Sequence, residues 1–171
     1  NPIRSISEIG SVKTKESSES MPYIREAIEL IKSSLPANIP LIGFGGAPFT
    51  LTSYAIEGGS SKSYIYVKKL MSSHPKEFSE LMDKMTDSII DYLNYQILSG
   101  VDAIQVFDSW VGCLGVSDYE KHVYPHTKRL FESLIKKVPI IHFGTGNPAL
   151  LRLMAAAGGD VMALDWRAPL K

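Results

Sequence analysis

The sequence predicts an α/β protein built on a parallel sheet, and three observations carry that prediction. Four short runs, Pro40 to Phe44, Ala103 to Phe107, Pro139 to Phe143 and Val161 to Leu164, have strand length and are apolar without alternation. Stretches with helical spacing of apolar residues separate them. Turn-forming residues precede each run and small or polar ones follow, the punctuation of alternating strands and helices. The unbroken hydrophobicity predicts strands buried on both faces.

The helical stretches can be taken in order. Ser17-Ser18-Glu19-Ser20 reads as a polar lead-in to a first helix, whose stripe is Ile24, Ala27, Ile28 and Ile31 and which stops before Pro36. Phe78, Leu81, Met82, Met85, Ile89, Leu93 and Ile97 hold one spacing from Pro75 to Gly100. Ser117 with Glu120 fits a capping box. Pro125 interrupts that helix, and Leu130, Phe131 and Leu134 carry its continuation. Asn147-Pro148 opens a short helix that Gly158-Gly159 closes.

Two architectures fit this alternation, an open doubly wound sheet and a (β/α)8 barrel, and both put their chemistry on loops after the strands. Four strand signals are half of what a barrel needs, and 171 residues fall short of the roughly 250 typical of that fold. If the fold is a barrel, it is half of one. The chain starts at Asn1 without methionine and stops at Lys171, so it reads as a piece of something longer.

Composition removes several classes of function. Eighteen Lys plus Arg balance eighteen Asp plus Glu, so the cationic surplus needed to hold a nucleic acid backbone is missing. A lone Cys113 excludes an intrachain disulfide and an all-thiolate zinc site. No apolar run approaches the roughly 20 residues of a membrane span. A cytoplasmic protein without membrane or nucleic acid partners is expected.

Candidate chemistry sits at the strand ends. Gly43-Phe44-Gly45-Gly46-Ala47-Pro48 follows a strand but has G-x-G-G spacing, with proline where a helix should open smoothly. A tight turn that needs glycine conformations is expected there, its amides able to meet an anion. Asp108 is a base, a ligand or the cap of a turn, and Ser109 a hydrogen-bond donor outside any nucleophile elbow. Asp102 and Asp160 precede their strands and are assigned structural roles. Asp108, His142 and Asp165 could make a metal site, although His142 within its strand fits a core residue equally well. His122 and His126 lack the glutamate of a zinc-protease helix and are expected on the surface.

Three stretches together resemble the uroporphyrinogen decarboxylase family: Ile42 to Lys62, which carries G-F-G-G-A-P-F-T-L-T-S-Y and E-G-G-S-S-K; Gln105 to Gly112; and His142-Phe-Gly-Thr-Gly with Ala163-Leu-Asp-Trp166. The resemblance implies a partial (β/α)8 barrel whose first and last strands are missing, forming a single incomplete domain over residues 1–171. It implies a cofactor-free carboxy-lyase of haem biosynthesis, dimeric when intact, that removes carbon dioxide from the four acetate arms of uroporphyrinogen to leave coproporphyrinogen. It places Tyr54 and Ser109 on the substrate and Phe44 and Phe107 in the apolar wall of the cleft.

In the family pattern the arginine-rich stretch and the central aspartate come before the region matching Asn1, and a substrate-contacting histidine comes after Lys171. The chain alone is therefore expected to be inactive, with no catalytic residue and no metal ligand assigned in it. A related branch transfers methyl groups to thiols through a zinc-binding His-x-Cys, but Gly144 stands at the cysteine position. The alternatives are a non-catalytic tetrapyrrole-binding or assembly fragment and a metal-dependent barrel hydrolase.

Overall fold

The structure is a computed structural model and describes residues 2–168. Its sheet has four strands, β1 (Ile42–Gly46), β2 (Ala103–Asp108), β3 (Ile140–Gly144) and β4 (Val161–Leu164), all parallel and hydrogen-bonded in chain order. A doubly wound sheet would reverse its strand order at a switch point. Uninterrupted order instead makes this an arc of a (β/α)8 barrel.

Three helical segments precede β1: α1 (Ile6–Ser11), α2 (Ser17–Ser20) and α3 (Tyr23–Ser34). The expected polar lead-in is thus a helical turn, because the Ser17 amide donates to Asp91 Oδ2 at 2.6 Å and the residue is buried. Between β1 and β2 lie α4 (Pro48–Glu57), α5 (Ile65–Ser73) and the 25-residue α6 (Pro75–Ser99). Pro48 opens α4 at its first turn, where its missing N–H costs nothing. Beyond β2 come α7 (Val116–His122) and α8 (Tyr124–Ser133), and between β3 and β4 lies α9 (Leu151–Ala157). Gly115, not Ser117, caps α7, so the expected capping box is absent there. Pro125 falls in the first turn of α8 and separates the two helices. The Asn147 side chain accepts from the Ala149 amide at 3.1 Å, opening the turn before α9 as expected.

One face of the sheet packs on helices. Ile104, Val106, Ile140 and His142 point into that layer and are fully buried. On β1 the glycines allow α6 to approach: a Cβ on Gly43 would lie 2.7 Å from Gln96 Oε1, and one on Gly45 3.0 Å from the Leu93 side chain. None of Gly43, Gly45 and Gly46 has a positive φ. The expected tight turn is therefore an extended strand whose glycines serve close packing. Gln96 also accepts from the Phe44 amide at 3.1 Å and donates to the Phe44 carbonyl at 2.9 Å, satisfying both backbone groups on a terminal strand.

The other face is open, contrary to the expectation of burial on both sides. Phe44 is 60% exposed there, and Ile42 and Val161 are nearly half exposed. The apolar runs hold residues fit for a covered surface that no described residue covers.

At the base of the sheet one device recurs. The Asp102 amide donates to the Leu41 carbonyl at 2.8 Å while its Oδ2 accepts from the Leu41 amide at 2.7 Å. Asp160 does the same with Ile140, at 2.7 and 2.8 Å. Each aspartate thus locks its strand to the start of the preceding one, the structural role read from sequence.

Candidate functional site

The C-terminal ends of the four strands share one rim, where parallel α/β folds expose backbone and side chains to ligands. β2 runs into Ser109-Trp110 and a 3-10 turn, Val111–Cys113. β3 runs into Thr145-Gly146, and β4 into Asp165-Trp166-Arg167. The first two loops touch backbone to backbone, since a Cβ on Gly112 would lie 2.5 Å from the Thr145 carbonyl oxygen and 2.8 Å from Gly146 Cα. Asn147 Nδ2 fastens them further by donating to the Leu114 carbonyl at 3.0 Å.

Asp165 binds the third loop to the second. Its Oδ2 accepts from the Thr145 hydroxyl in a short contact, from the Gly146 amide at 3.0 Å and from Arg167 Nη1 at 2.7 Å, and Oδ1 accepts from the Arg167 amide at 2.9 Å. These bonds, Thr145 foremost, hold its carboxyl well below the usual range. With both oxygens engaged, Asp165 is a loop clamp. It does not join Asp108 and His142, and no cluster of three His, Cys, Asp or Glu suited to a metal ion occurs among the described residues.

The three loops and the α4–α5 connection enclose a cleft of about 410 Å³ lined by Lys62, Tyr64, Ser109, Trp110, Thr145 and Arg167, among others. Ser109 therefore reaches the rim, as expected. Tyr54 on α4 is 40% exposed and lines a different hollow, of about 290 Å³, with Gly58 and Gly59. Tyr54 is tied to the cleft through Trp110, a residue of the cleft lining whose ring meets that of Tyr54 edge-on at 5.8 Å and that of Tyr64 at 5.6 Å. A separate hollow of about 400 Å³ beside α1 and α5 contains none of these groups.

Phe44 and Phe107 lie on the open face of the sheet, rings edge-on at 6.0 Å, and Phe143 extends the row at 5.5 Å from Phe107. Offset edge-to-face pairs of this kind are favourable beyond simple burial. The row forms an apolar strip along the concave side of the arc.

Asp108 points away from the rim into the helix layer. It is fully buried, accepts weakly from Thr50 Oγ1 at 3.5 Å, and desolvation pushes its carboxyl pKa up. His142 is equally buried and packs its ring against Phe131 at 4.6 Å, the core placement considered from sequence. Of the other histidines, His126 is buried rather than on the surface, with Nδ1 3.2 Å from Asp83 Oδ1, because α8 folds back against α6.

Sequence reasoning did not single out Lys62, Tyr64 or Trp110 as cleft-lining residues. Tyr64 is also the one non-glycine with a left-handed backbone among the described residues, at φ 53°, held by Ser61 Oγ accepting its amide at 3.0 Å. The E-G-G-S-S-K run just before it was the available signal.

The molecule is thus of the parallel-barrel class, with a polar cleft at the strand ends and an aromatic strip on the concave face. It belongs to the uroporphyrinogen decarboxylase family, whose model, described as "Uroporphyrinogen decarboxylase (URO-D)", matches residues 1–171. A uroporphyrinogen decarboxylase of Carboxydothermus hydrogenoformans is 50% identical over 171 residues, covering 99% of this chain and 49% of the relative. That of Thermus thermophilus is 46% identical over 171 residues, covering 99% and 50%. The chain spans about half the length of these relatives. Among solved structures, a methyltransferase from Methanosarcina mazei superposes with TM-score 0.70 at 19% identity, over 83% of this chain and 41% of that one, which shows the shared fold.

Proposed function

We propose that this chain is a single incomplete barrel domain that forms the ligand-orienting part of a uroporphyrinogen decarboxylase. The observation that carries this reading is the Phe44–Phe107–Phe143 strip on the open face of the sheet, together with a strand-end cleft lined by Ser109 and Trp110 and with Tyr54 packed edge-on against Trp110. A macrocycle with an apolar ring and carboxylate arms suits an aromatic floor edged by hydroxyl donors.

The reaction proposed for the whole protein converts four acetate arms to methyl groups, giving coproporphyrinogen. Protonation at a pyrrole carbon makes the ring cationic. The electron pair of the CH₂–carboxylate bond then returns to the ring as carbon dioxide leaves, a proton added at the exocyclic carbon makes the methyl group, and the pyrrole carbon gives up the proton it first gained, which restores the aromatic ring. A carboxylate beside the pyrrole N–H groups would stabilise the cationic stage. Within this chain Tyr54 and Ser109 orient carboxylate arms and the phenylalanines exclude water. No organic cofactor or metal is required by that chemistry. The family's acid and arginines have no counterpart at matching positions in these residues, so the chain alone binds without turning over. A cytoplasmic setting and a homodimer of the whole protein complete the reading.

Uroporphyrin I, the oxidised octacarboxylate, tests it by absorbance titration, with its octamethyl ester as control. Saturable binding of the acid, weakened several-fold by Tyr54→Phe or Ser109→Ala, supports the reading. Absence of binding, or binding indifferent to both variants, refutes it. Anaerobic incubation with uroporphyrinogen should yield no coproporphyrinogen; appreciable product would overturn the inactivity of the chain alone.

A further inference from the structure

We propose that Lys62 and Arg167 form the cationic clamp of a carboxylate subsite over Ser109, taking one carboxylate arm of the ligand. The subsite deepens the reading above and rests on it for the choice of a polycarboxylate. The cleft that these residues line, about 410 Å³, is donor-rich and has no acidic side chain in its lining. Lys62 and Arg167 carry the two charges, one from the α4–α5 connection and one from the loop after β4.

Three neutral donors belong to residues of the same lining. Ser109 offers a hydroxyl. The Trp110 Nε1–H and the Tyr64 hydroxyl are buried and find no hydrogen-bond partner among the described residues. An indole N–H can only donate, and a buried donor left unmatched is costly. Thr145 is excluded from this count because its hydroxyl is given to Asp165. Burial pushes the Tyr64 phenol up to about 12, so it keeps its proton at neutral pH. A site with this surplus of donors and positive charge matches an acceptor-only anion.

The orientation of Arg167 is pre-set. Its Nη1 donates to Asp165 Oδ2 at 2.7 Å and its guanidinium lies 4.5 Å over the Trp166 ring. One edge of the guanidinium is thereby engaged, and four of its five N–H donors are left for a ligand or water. Tyr64 is held by the Ser61 contact and by its ring against Trp110, so the opposite wall is equally fixed.

The two tryptophans of the sequence are Trp110 in the wall and Trp166 beside Arg167. In a Trp166→Phe background Trp110 alone reports on the cleft. Titrating the full chain with tricarballylate, a small tricarboxylate, should change Trp110 emission saturably. Lys62→Gln and Arg167→Gln should each raise the dissociation constant by about fivefold or more, with Arg167→Lys recovering part of the loss. Lys69→Gln, in the separate hollow beside α1 and α5, should change nothing.

A titration without saturable change, or one unmoved by both clamp variants, overturns the proposal. So does inorganic phosphate binding as tightly as the carboxylate, which would make the site a phosphate site. Uroporphyrin I binding that depends on Tyr54 but ignores Lys62 and Arg167 would sink the subsite and spare the tetrapyrrole reading. Tricarballylate held by the clamp with no porphyrin bound would do the reverse.

Discussion

His142 Nε2 lies 3.7 Å from Asp108 Oδ2, and neither side chain has any exposed surface. That separation is beyond hydrogen-bond reach, and Asp108 Oδ2 and both ring nitrogens lack other partners. The pair is a buried polar island behind the rim, joined to it through Thr50, whose Oγ1 also accepts from the Trp110 amide at 3.4 Å.

Replacing Asp108 by Asn should therefore stabilise the protein at neutral pH. Desolvation raises the folded-state pKa of this acid. Its protonated form suits the fold, so its contribution is most favourable below the ordinary carboxyl range and worsens as pH rises through the folded value. Asparagine keeps an acceptor for Thr50 without the charge. Urea unfolding should show a gain of about 1–3 kcal/mol at pH 8, shrinking toward acid. A loss of stability at pH 8 would refute this.

Asp102 behaves in the opposite sense. The Leu41 amide first, and Lys32 at 2.7 Å next, lower its carboxyl pKa. The stabilisation is present above the unfolded carboxyl pKa and disappears as pH falls through the lower folded value. Asp102→Asn should lower the thermal midpoint at pH 7 and flatten its decline toward pH 3. An unchanged acid limb in circular-dichroism melts would contradict this.

Two glycines on the rim should differ sharply. A methyl group on Gly112 meets the backbone of Thr145 and Gly146, which cannot yield without moving both loops. On Gly144 it meets only the thioether end of Met154, which has other rotamers. Gly112→Ala should cost about 1–3 kcal/mol and alter Trp110 emission, and Gly144→Ala should cost less. Equal losses in paired urea titrations would refute the distinction.

The open face can be probed at Phe44. Because the ring is 60% exposed, Phe44→Thr should change stability by no more than about 0.5 kcal/mol while reducing binding of the dye ANS. A large destabilisation would instead reveal that something covers this face in solution.

Much of the scaffold was legible along the chain. The strands begin within two residues of the apolar runs, and α6 opens at Pro75 and closes before Gly100, because periodicity and end signals are local properties of the backbone. Asp102 and Asp160 were legible for the same reason: a short acceptor before a strand meets the nearest amides. The roles of Gly43 and Gly45 were not, since the need for glycine there comes from Gln96 and Leu93, some fifty positions later. Nor was Tyr64, whose partner ring is Trp110.

By itself the sequence determined the alternation of strands and helices, the family resemblance and the position of Ser109 just after a strand. Only the tertiary structure decided that one sheet face stays open, that Asp108 turns inward while Asp165 becomes a clamp, and that Lys62 and Arg167 share a cleft. The reason is physical. Local pattern sets the direction of the chain, whereas burial and proximity arise from long-range packing, in which a single residue of strand alternation sends a side chain to the rim or to the core.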